Sequence, residues 1–99
     1  MWTDGLYRIA HLMREGHVTN QLQLMSTAYT ALQGAMKAQG AGLTRHADQL
    51  AGLAAELVAV AEAEPFQPPA AEPMRDRAVI LSLVAGSIDG ALRRAGRAA

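Results

Sequence analysis

The residues best able to do chemistry in this chain are its three histidines, and two of them share the run HLMREGH. His11 and Glu15 fall four apart, on one helical face, and His17 follows two residues later. Imidazole and carboxylate at that spacing suit zinc. The run is not the HExxH arrangement, however, and Gly16 separates the third ligand from the helix bearing the other two. Polar residues bordering an apolar stripe account for the same pattern, so no metal and no cofactor is expected. His46 stands apart, and in a helix interface an imidazole is a candidate pH-sensitive element, because its ordinary pKa lies near neutrality.

Catalysis lacks the rest of its parts. Ser26, Ser82 and Ser87 have no glycine-rich elbow and no base beside them in sequence. Asp48, Glu56, Glu62 and Glu64 are spread along one helix and its end, as a solvated face would be. No phosphate loop and no dinucleotide fingerprint occurs. No catalytic residue is expected, and the chain reads as a non-enzyme.

Nucleic acid is the second class to weigh. REGHVTNQLQLM has the outline of a helix, a glycine turn and a polar helix start. Its second helix opens with Asn20, Gln21 and Gln23 and carries no cation before Lys37, whereas phosphate binding draws on lysine and arginine. The tail ALRRAGRAA supplies Arg93, Arg94 and Arg97. Those charges equally suit the negative end of a helix dipole. A small DNA-binding or regulatory protein using this arginine-rich end is the alternative reading, and nucleic acid is not the expected partner.

Bulk composition points the same way. The 99 residues carry nine basic and nine acidic side chains, so no net charge draws the chain to polyanions or lipid. Hydrophobic residues make up 51% and aromatic residues 4%, so a core must come from Leu, Val, Ile, Met and Ala. The absence of cysteine fits a reducing compartment. The apolar run AVILSLVAG falls far short of the roughly 20 residues a membrane span needs. A soluble, cytoplasmic protein is expected, with no membrane partner.

The elements that would position these groups are helices. Trp2, Leu6, Ile9 and Met13 form one stripe, with Thr3 or Asp4 as an N-cap and Gly16 as the C-terminal stop. Val18, Leu22, Met25, Tyr29, Leu32 and Met36 alternate by four and three, a coiled-coil-like seam, with Thr19 or Asn20 to cap it. Leu43, Leu50 and Leu57 continue in steps of seven, with Leu53 and Val60 between them. That phase would allow one helix from Val18 to about Glu64. Two interior glycines cost about 2 kcal/mol relative to alanine, and Gly40 and Thr44 suit a C-cap and an N-cap. A turn at Gly40–Gly42 is therefore expected. Pro65, Pro68, Pro69 and Pro73 make 64–73 a stiff connector, with Phe66 pinning it to the helices. Met74, Ala78, Leu81, Ala85, Ile88, Leu92 and Ala95 form the last stripe, which Val79, Ile80, Leu83 and Val84 widen almost to the full circumference.

A helix apolar all round is buried all round, and 99 residues offer few neighbours to surround it. The expectation is an all-α fold, a small up-and-down helical bundle with a central helical hairpin, forming one domain over 1–99 and oligomeric. Helices are expected near 3–15, 18–39, 44–63 and 73–95. The expected function is a non-enzymatic protein–protein interaction module (adaptor, chaperone or assembly subunit) that binds another protein or itself as a homodimer. Leu50, Leu53, Leu57, Leu81, Val84, Ile88 and Leu92 are the expected interface.

Overall fold

Four helices carry the chain in a computed structural model that describes residues 1–98: α1 (Asp4–Arg14), α2 (Gln21–Gly40), α3 (Thr44–Glu62) and α4 (Ala71–Ala98). Among the described residues there is no strand. Local chemistry sets the boundaries. Asn20 accepts a hydrogen bond from the Gln23 amide at 2.8 Å, and the Gln23 side chain accepts one from the Asn20 amide at 3.3 Å. This reciprocal cap satisfies two amides that the first turn of α2 would otherwise leave open.

Both of the first two helices end on a glycine in the left-handed region, Gly16 at φ 78° and Gly42 at φ 79°. In each, the following amide reaches back five residues, His17 to the Leu12 carbonyl at 2.9 Å and Leu43 to the Ala38 carbonyl at 2.8 Å. Such a terminus uses carbonyls that have no partner inside the helix. Two expectations are corrected here. Gly42, not Gly40, carries the reversal, and Gly40 is the last helical residue of α2. Thr44 is already helical, and Leu43 before it provides no side-chain cap.

The connector runs from Ala63 to Ala70, and Phe66 is half-buried against the core. Helix α4 opens at Ala71, so Pro73 lies in the first turn, where a missing amide costs no helical hydrogen bond.

Helix α2 packs along α3 and α1 along α4, with smaller contacts joining the two pairs. Gln21 at the start of α2 donates to the Ala61 carbonyl near the end of α3 at 2.9 Å, a tie between the two helices. Leu6, Ile9 and Met13 of α1 meet Met74, Leu81 and Ile88 of α4 in one core with Leu50, Leu53 and Leu57. The inward face of α2 is made of small residues, Ala28, Ala31, Gly34, Ala35 and Ala38, with Leu24 and Thr27. Small residues let helices approach closely. A Cβ on Gly34 would stand 2.9 Å from Leu6 Cδ2 and 3.3 Å from Leu50 Cδ1, so three helices converge on its missing side chain.

Candidate interaction surface

The seven residues expected to form an interface are taken up by the chain itself. Leu50, Leu53, Leu57, Leu81, Val84 and Ile88 are all buried, and Leu92 is half-buried against the same core. In the fold, α1 covers one face of α4 and α3 part of another. These side chains are core residues of the single chain, not a free surface.

The chemistry-bearing residues are dispersed. His11, Glu15 and His17 are all exposed, and among the described residues no three His, Asp or Glu side chains gather as a metal site. Asp48, Glu56, Glu62 and Glu64 are exposed, and Glu56 lies 3.9 Å from Arg77. Arg93, Arg94 and Arg97 are exposed near the end of α4.

His46 is half-buried, and its Nε2 stands 2.7 Å from Ser87 Oγ, a link between α3 and α4. An imidazole beside a hydroxyl is the start of a nucleophile–base pair. Ser87 sits in the interior of α4, where backbone amides are committed to helical hydrogen bonds and none is free to hold an oxyanion. The pair therefore acts as a tie between helices.

A second polar tie joins the other helix pair. Thr3 Oγ1 donates to Asp89 Oδ1 at 2.6 Å, and Tyr7 Oη donates to Oδ2 of the same carboxylate at 3.0 Å. Thr3 occupies the N-cap position of α1 yet makes no side-chain cap, because its hydroxyl is turned to Asp89. Burial, and then the Asp89 hydrogen bond and charge, raise the Tyr7 phenol above its ordinary pKa.

The surface that remains is apolar and lies on α2. Leu22 is 80% exposed, Tyr29 64% and Met36 69%, with Met25 and Leu32 each more than two-fifths exposed. Only Val18 of that predicted seam is buried. Apart from Leu24, helix α2 is thus inverted in size, with alanine and glycine facing the core and larger residues (Leu22, Met25, Tyr29, Leu32 and Met36) facing out. Beside the stripe a groove of about 540 Å³ runs between Met25, Tyr29 and Leu32 of α2 and Ala51, Ala55 and Val58 of α3. A smaller exposed apolar patch, Val79, Ile80 and Leu83, lies on α4.

No family model, no curated protein and no solved structure matches this chain. The functional reading therefore rests on the surface itself. The signal for it was present in the sequence as the four-three alternation from Leu22 to Met36. What could not be read locally was which of two stripes on α2 would turn inward. Leu24, Ala28, Ala31, Ala35 and Ala38 alternate by four and three as well.

Proposed function

We propose that this protein is a non-enzymatic protein–protein interaction module, an adaptor, chaperone or assembly subunit, and that its working face is the outward side of α2 with the adjoining groove of α3. In this reading α2 and α3 act together as a helical hairpin, and the working form is a complex or oligomer. One observation carries it: the five large apolar side chains from Leu22 to Met36 stand in water while the small residues of the same helix fill the core. Five such side chains, at these exposures, leave on the order of 600 Å² of apolar surface in contact with water. At about 25 cal/mol per Å², covering it is worth roughly 15 kcal/mol gross. Loss of translational and rotational freedom takes about 4–15 kcal/mol of that on association, so the face suffices for a specific complex when groove contacts add to it. Its charges lie at the ends, with Lys37 the only cation of α2, a chemistry suited to a protein surface more than to polyphosphate.

The experiment is the native size of the protein in an extract of the cells that make it. The unaltered chain is expected to run in a species larger than its own mass. A variant with Leu22→Ser, Leu32→Ser and Met36→Ser, all at exposed positions, is expected to run as the lone chain with its helicity intact. A wild-type chain that runs alone in the extract, at its natural abundance, would count decisively against the reading.

A further inference from the structure

We infer that the occupant of the α2 face is a second copy of this chain, packed antiparallel about a two-fold axis at Tyr29. The inference rests on the interaction-module reading above and names its partner.

The stripe spaces its large residues almost evenly on either side of Tyr29. From Tyr29, Met25 and Leu22 lie four and seven residues back, while Leu32 and Met36 lie three and seven residues forward. A two-fold axis through Tyr29 sets Leu22 against Met36 of the other copy and brings Met25 within one residue of the position opposite Leu32, so large side chains meet along the stripe. An isologous interface requires this self-complementarity, in which residue i meets j and j meets i.

The exposed area also fits a second copy. The stripe alone offers on the order of 600 Å² per copy, and the groove beside it adds to that. A stable interface buries about 800 Å² from each partner. The small side chains of Ala51 and Ala55 on α3 leave the trough that the opposing large residues need.

Charge decides the direction. Where α2 ends and α3 begins, Lys37 and Arg45 outnumber Asp48. Where α2 begins and α3 ends, Glu62 lines the groove beside Met25, and the cation at that end is Arg8 of α1, on the far side of Leu22. Antiparallel packing brings the cationic end of one copy to the acidic end of the other. Parallel packing would set acid against acid and base against base. Between these ends the contact is uncharged, so nothing opposes the approach of an identical face.

The test uses the full chain, which contains no native cysteine to complicate it. Sedimentation equilibrium from micromolar to millimolar concentration is expected to give twice the 10.5 kDa chain mass at the upper end. Leu32→Asp places two carboxylates beside the axis and is expected to weaken dimerisation at least about thirtyfold, as a hot-spot loss does. Circular dichroism checks that the variant is folded. Should it not be, Leu22→Asp, at the most exposed position of the stripe, takes its place. Direction is read by disulfide trapping. Leu22→Cys and Met36→Cys chains, mixed and mildly oxidised, are expected to form the mixed disulfide well above either like-with-like product, and Tyr29→Cys alone is expected to cross-link with itself. A monomer mass at all concentrations, or like-with-like disulfides in excess, overturns the inference. The broader reading is tested separately by native size in extract, where a stripe-dependent complex containing a purified-state monomer would keep the module and reject the second copy.

Discussion

Removing the Asp89 carboxylate should unlatch α1 from α4. The structure sets the size of the effect. Asp89 Oδ1 takes the hydrogen of Thr3 Oγ1 at 2.6 Å, and Thr3 is fully buried. In Asp89→Ala that hydroxyl keeps its desolvation cost and loses its acceptor, which is about 1–3 kcal/mol. The bond from Tyr7 is exposed and adds less. A total near 2 kcal/mol corresponds to a fall of roughly 8–16 °C in Tm for a domain of this size. Asp89→Asn retains a carbonyl oxygen as acceptor and should cost about half as much. Thr3→Val removes the donor, and the two substitutions together should cost less than their sum, with a coupling near 1 kcal/mol, because they break one bond. Thermal melts followed by circular dichroism on the four chains of the cycle measure all of these. A melt of Asp89→Ala within about 2 °C of wild type, or strict additivity with Thr3→Val, would refute the reasoning.

Three more outcomes follow from the same structure. The Tyr7 phenol titrates above its ordinary pKa in the fold, so its contribution to stability is complete below about pH 10 and is lost as pH rises through the raised value. Wild type should therefore lose more of its urea midpoint between about pH 9 and pH 11 than Tyr7→Phe does. At Gly34, alanine gains about 1 kcal/mol of helix propensity and spends a similar amount displacing the Leu6 methyl 2.9 Å from its Cβ, leaving stability nearly unchanged. Gly34→Val has no such relief and should destabilise by about 1–3 kcal/mol in denaturant titration. Leu81→Ala empties a core site and should cost about 2–5 kcal/mol, whereas Leu22→Ala on the surface should shift monomer stability by about 0.5 kcal/mol or less. Equal effects at the two leucines would mean that the faces are misassigned.

Much of the helical skeleton is legible in the residues, because the main apolar stripes of α1 and α4 repeat at helical spacing and face the core, while Val79, Ile80 and Leu83 stay exposed. Leu6, Ile9 and Met13 pack inward, as do Met74, Leu81 and Ile88. Capping was legible to within a residue or two. Gly16 ends α1, but at the second turn two glycines compete, and only backbone geometry shows that Gly42 takes the positive φ. Helix α2 misleads for a physical reason. It carries two stripes with the same alternation, and size alone suggests that the larger one is core. Close approach of α2 to its neighbours reverses that choice, since Gly34 and the alanines admit a short interhelical distance that Leu22 or Tyr29 would block. The residues expected as an interface from Leu50 to Leu92 lie in the chain's own core, where α1 covers α4 and α2 covers α3. The polar ties were out of reach, since 86 residues separate Thr3 from Asp89 and 41 separate His46 from Ser87. No local pattern announces such a pair.

Methionine oxidation tests the inversion of α2 most directly, because the chain has five methionines and four of them sample the two kinds of face. Met25 and Met36 lie on the outward stripe, while Met13 and Met74 are buried in the core. Peroxide treatment of the dilute, monomeric chain, followed by peptide mass spectrometry, should oxidise Met36 and Met25 quickly and Met13 and Met74 slowly. The two exposed sites should become protected as concentration rises and the face is covered. Fast oxidation of Met13 and Met74 with Met25 and Met36 shielded in the monomer would contradict the account, since the large residues of α2 would then be the core.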